Sequence, residues 1–124
     1  MSSSSNARLP HKEPLIFIGS LREESLSRVS FLARFPIIPT LAMFCEAAAQ
    51  GSSFFPLSPD CVQGVVSSFR NTKLLCEPLS YETFMTITIL HAFENSYLFE
   101  FKASIPGSEE LIATGEIAIF YTFT

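Results

Sequence analysis

Tryptophan is missing from this chain, and histidine nearly so, with only His11 and His91 present. Positive charge is also scarce: eight Lys and Arg stand against twelve Asp and Glu, a net charge of −4. Binding phosphates needs clustered Lys and Arg, so no nucleic-acid partner is expected. The same balance disfavours an acidic carrier protein unless cations gather locally. No apolar run approaches the length of a membrane span. The first residues are polar and serine-rich and show no secretory signal, so a cytoplasmic location is expected. Cysteine is limited to Cys45, Cys61 and Cys76, an odd number without metal-ligand spacing. Such cysteines read as small buried hydrophobes in a reducing compartment, and neither a metal nor a cofactor is expected.

What the chain has is apolar surface. Of its 124 residues 48% are hydrophobic, with 13 Phe among them. One domain of this size holds a sizeable core, but this much apolar surface favours an oligomer or a greasy ligand channel. The central stretch is Thr40 to Phe55, TLAMFCEAAAQGSSFF. Pro36 and Pro39 cannot sit inside a helix. Thr40 can cap the first turn with its hydroxyl, the Ala and Leu residues carry low helix cost, and Gly51 with two serines marks the stop. A helix apolar on nearly all sides is buried on most of them. Its one carboxylate, Glu46, must then be paired, desolvated or functional.

Around this helix the chain reads as strands. Residues 1–8 form a polar tail expected to be disordered, and residues 9–124 one domain. Leu15 to Leu21 is an apolar strand, and Arg22 to Ser25 a polar turn. Leu26 to Ala33 alternates, with Val29 and Phe31 on one face. After the loop at Pro56 to Asp60, Cys61 to Leu75 is extended, with a bend or bulge expected at Gly64 and Asn71 to Lys73. Glu82 to Phe93 is a strand that places His91 on the apolar face beside Ile89 and Phe93, where a satisfied core histidine is expected. Tyr97 to Ala103 is a half-buried strand, and Leu111 to Phe123 is the last. Such a meander buries one helix only by curling around it. The expected fold is α+β: one long central helix wrapped by a curved antiparallel sheet of five to six strands, in the manner of the hot-dog fold.

Three stretches carry a more specific resemblance. LPHKEPLIFIGSL (Leu9 to Leu21) resembles the opening of the 3-hydroxyacyl-(acyl-carrier-protein) dehydratase family. FPIIPTLAMFCEAAAQG (Phe35 to Gly51) resembles that family's proline-rich approach and helix, with its Glu-Ala-x-Ala-Gln pattern on Glu46, Ala47, Ala49 and Gln50. GVVSSFRNTKL (Gly64 to Leu74) is similar to the third strand of the divergent branch found with aryl polyene biosynthesis. The resemblance implies a hot-dog dimer whose strands pair into one larger sheet, with acyl chains on phosphopantetheine entering at the subunit interface. It also implies a catalytic His just before the helix of one subunit, facing the helix carboxylate of the other. Dehydration needs a base at the α-carbon and an acid at the leaving hydroxyl. Where the family has Gly-His-Phe-Pro, this chain has Ala33-Arg34-Phe35-Pro36. An arginine stays protonated and cannot serve as that base, and loss of such a group costs about 10²–10⁴ in rate.

The site expected from these residues is therefore Glu46 as the catalytic carboxylate. Gln50, one turn on, Arg34 in the vacated position, and Ser67 and Ser68 on the third strand are the substrate-side residues. Each has a competing structural role. Glu46 can pair with Arg34 or Arg70, Gln50 can hold a loop backbone or a partner's helix, and Arg34 can be a solvated loop residue. Ser67 and Ser68 can belong to an ordinary strand. His11 is expected to tie down the N-terminal turn, and Cys45, with no His or Lys near it in sequence, to be unactivated. The expected function is a dehydratase-like protein handling acyl thioesters on acyl carrier protein or coenzyme A, with impaired or absent dehydratase activity. It would form a homodimer or a heterodimer with a catalytic dehydratase, in the latter as the non-catalytic subunit that stabilises its partner. The alternatives are an acyl-thioester hydrolase using Glu46, or an acyl-chain binding module; whether the chain is an enzyme stays open.

Overall fold

The computed structural model describes residues 18–24, 27–55 and 61–123. Six strands and one helix follow the order β1 (Ile18–Glu24), β2 (Arg28–Arg34), α1 (Leu41–Gly51), β3 (Cys61–Leu74), β4 (Glu82–Phe93), β5 (Ser96–Ser104) and β6 (Leu111–Phe123), with a short 3₁₀ turn at Ser52–Phe54. All strand pairs are antiparallel, in the spatial order β1-β2-β4-β5-β6-β3. β1 and β3 are the two edges.

The helix starts where its chemistry directs. Thr40 is extended, and its hydroxyl accepts from the Met43 N–H at 3.3 Å, satisfying one orphan donor of the first turn. At the far end Gly51 is buried against Phe31 of β2 and Ile87 of β4. A Cβ there would meet the ring of Phe31 and lie 2.7 Å from Ile87 Cδ1, so only glycine fits this approach.

One face of the sheet holds the core in cross-strand rows. Phe31, Met85, Ala103 and Ala113 form one row, and Val29, Ile87, Phe101 and Gly115 the next. Phe44, Ala47 and Ala48 of α1 close over this face and are fully buried with it. Phe35 and Phe44 meet edge-on at 5.5 Å, fastening the segment before the helix to its first turn.

The bend or bulge expected at Asn71 to Lys73 is present as a register shift between Arg70 and Lys73, with Asn71 at φ +54°. Two expectations change. β1 runs through Arg22 and Glu23 to Glu24, pairing with β2 across two register shifts, so the expected polar turn there is strand. An edge strand with irregular pairing accepts charged residues that a central strand would not. His91 is the larger correction. A bulge between Ile89 and His91 inserts one residue and reverses the alternation. His91 then sits opposite Leu98, exposed on the face away from α1, and is not a core histidine. The tail and the His11 turn lie outside the described residues.

Thr83 faces the core at 1% exposure, and its hydroxyl has no hydrogen-bond partner among the described residues. Such a group costs about 1–3 kcal/mol. Thr83→Val should therefore raise stability by about 1 kcal/mol, whereas Gly51→Ala should lower it by about 1–3 kcal/mol through overpacking against Phe31 and Ile87. Urea unfolding of both variants checks the opposite signs.

Candidate functional site

Along α1 the exposed or half-exposed positions include Ala42, Glu46 and Ala49. Spaced by four and three residues, they lie along one side of the helix, with Ala49 still packed against the core. Glu46 is thus half-buried, neither sunk in the core nor standing fully in water. Gln50, one turn on, is wholly buried. Its Nε2 donates to Glu46 Oε2 at 3.3 Å, the side-chain pairing that helical i,i+4 spacing allows. A buried amide thereby fixes the direction of a half-buried carboxylate. A carboxylate held this way can accept a proton from water or from an acidic C–H.

Arg34 does not join it. The register of β2 on β4 sets Arg34 opposite Glu82. Nε and Nη2 of Arg34 both donate to Glu82 Oε2, at 2.9 and 2.6 Å. Arg34 is the last residue of β2 rather than a loop residue, and its side chain is 71% exposed. The second arginine considered for Glu46 is engaged in the same fashion: Arg70 Nε lies 3.9 Å from Glu116 Oε1, its partner in the β3–β6 register. The expected Glu46–arginine pairing is therefore replaced by two cross-strand pairs, both dictated by strand register.

Ser67 and Ser68 lie on the edge strand β3. Ser67 sits at a register shift and its Oγ donates to the Ala118 carbonyl at 3.1 Å. Ser68 is opposite Ala118, which alternates with the core residues Ile117 and Ile119. Its side chain therefore points away from α1, and only backbone groups of this pair remain for a ligand on the helix side. Cys45 is buried in the core, and burial pushes its thiol up from 9.0, so it is no thiolate near neutral pH.

Sequence reasoning did not single out two apolar residues on the helix side of β3. The core row Ile89, Phe99, Ile117 continues onto β3 as Phe69, and Ile119 is opposite Val66. Phe69 is 42% and Val66 36% exposed although both stand on the helix side of the sheet. α1 touches β3 and β6, yet these two side chains stay part-exposed. The register shifts between Val66 and Ser68 and between Arg70 and Lys73 break the alternation that would have revealed them.

No family model matches the chain, and no curated protein sequence does. Solved structures do match in shape. The dehydratase heterocomplex ApeI:P from Xenorhabdus doucetiae superposes with a TM-score of 0.74 at 15% identity, covering 93% of this chain and 88% of that one. Conserved protein PA5202 from Pseudomonas aeruginosa gives 0.73 at 11% identity, covering 98% and 100%. A hypothetical thioesterase with coenzyme A from Streptococcus pneumoniae gives 0.68 at 10% identity, covering 85% and 86%. With the element order above, these matches define the fold: the protein has the hot-dog fold.

Because Arg34 and Glu82 pair in solvent, the bridge contributes at most about 1 kcal/mol. Arg34→Ala should therefore cost less than about 1 kcal/mol in chemical denaturation, with the loss shrinking further in high salt.

Proposed function

We propose that this protein handles 3-hydroxyacyl or acyl thioesters, carried on acyl carrier protein or coenzyme A, as one half of a dimer that closes over β3. In this reading its dehydratase activity is impaired or absent, and it serves as a non-catalytic subunit beside an active dehydratase or a second copy of itself. The observation that carries the reading is the Glu46–Gln50 pair, half-buried on a helix that leaves an apolar strip uncovered at the adjacent sheet edge. Val66 and Phe69 are the residues an acyl chain or a partner's helix would cover there. The structural likeness to a dehydratase heterocomplex and to a thioesterase with coenzyme A supports the same class of substrate and an assembly of two chains.

Dehydration asks for two groups. One removes the α-proton, and another protonates the departing β-hydroxyl so that water leaves. Glu46 supplies one of them. His91, exposed on the opposite face of the sheet, does not supply the other, and Arg34 is held by Glu82.

The same geometry favours one second reading, because thioester hydrolysis asks for a single base. Glu46 would take a proton from water as its oxygen attacks the thioester carbon. The C–S bond then breaks, and the proton leaves with the thiol. The purified protein is to be incubated with 3-hydroxyacyl and acyl thioesters beside Glu46→Gln. The leading reading predicts neither enoyl thioester nor free thiol above background from either protein. Free thiol that falls about 10²-fold or more in the variant would establish the hydrolase instead. Enoyl product would overturn the non-catalytic reading.

A further inference from the structure

Away from the Glu46 stripe, a groove of about 550 Å³ opens at the end of the sheet where β3 leads into β4 and β5 turns into β6. Leu79, Ile105 and Ile112 give it an apolar lining, and Glu77, Glu82 and Glu110 stand around it. A second hollow, lined by Arg34, Pro36 and Tyr81, shares Ser80 and Glu82 with the first. Apolar surface extends over both. Leu79 is 84% and Tyr81 57% exposed, values unusual for such side chains unless something else covers them.

The charge lining this surface is net negative. Among the described residues lining the two hollows the only cation is Arg34, and its guanidinium is already bonded to Glu82. An acidic rim on an apolar floor repels phosphate-bearing ligands such as coenzyme A or a phosphopantetheine arm. It attracts an apolar body that carries positive charge at its margin. The apolar surface also runs past the groove onto the neighbouring hollow, farther than a small ligand would need.

We infer that this end of the sheet docks a cationic amphipathic segment of a partner protein, its apolar side chains seated over Leu79, Ile105 and Ile112 and its Lys or Arg residues on Glu77 and Glu110. Groove-docking segments of this kind recur in protein recognition. The surface is separate from the thioester site proposed above, and its sign of charge sets it against the anionic carriers of that site.

The test uses the full chain and a fluorescein-labelled 12-residue peptide with Leu on one helical face and Lys on the other, followed by fluorescence anisotropy. The isomer with Glu in place of Lys is the control. The full chain should bind the Lys peptide and not the Glu peptide, more weakly as salt rises. Glu77→Gln with Glu110→Gln should weaken binding about tenfold, and Leu79→Asp should weaken it at least as much. Glu94→Gln with Glu100→Gln removes the same charge on the β4–β5 hairpin and should leave binding within about twofold. Failure of the full chain to bind the Lys peptide would overturn the proposal. So would equal loss from the two charge pairs, or equal binding of the two peptides.

Discussion

Enclosure of a single helix by one sheet is the constraint from which the rest of this structure follows. α1 is too apolar to stand in water, and a sheet with one apolar face needs a cover. Each answers the need of the other. Phe44, Ala47 and Ala48 fill the face made by Phe31, Met85, Ile87 and Phe101, all fully buried. The fit is close enough that the helix end at Gly51 has no room for a methyl group. The cover is not complete, however. α1 touches the edge strand β3, yet Phe69 and Val66 on its helix side stay part-exposed. The candidate region proposed above combines the half-buried Glu46 of α1 with the part-exposed apolar residues of β3.

Strand register decides what can and cannot gather at that region. It draws Arg34 to Glu82 and Arg70 to Glu116, so neither arginine is committed to Glu46. It turns Ser68 outward and, through one bulge, turns His91 outward as well. Among the described site candidates, Glu46 and its buried partner Gln50 are set in one helix turn and do not depend on sheet register.

Much of the architecture was legible in the sequence because its signals are local. Thr40, the paired prolines and Gly51 delimit the helix within the chain itself. The alternations in β5 and in the first half of β4 survive intact because their register is regular. The hot-dog resemblance named the fold that these elements build. What the sequence concealed is non-local. A bulge shifts every later side chain to the other face, so His91 reads inward from spacing and stands outward in the structure. Pairings such as Arg34 with Glu82 join residues 48 apart in sequence and depend on which strands become neighbours. Phe69 as an uncovered inward residue depends on where the helix stops covering the sheet, a property of the whole fold.

The most direct test of the account is hydrogen exchange of the α1 backbone amides in the full chain, read residue by residue by NMR. If the helix is the enclosed centre of the fold, the amides of Ala47 to Gly51 open only with global unfolding. Their protection should then match that of β4 and β5 within about tenfold. Exchange of those helix amides through a far less costly local opening, while the sheet stays protected, would show that the sheet stands without its helix and would contradict the account.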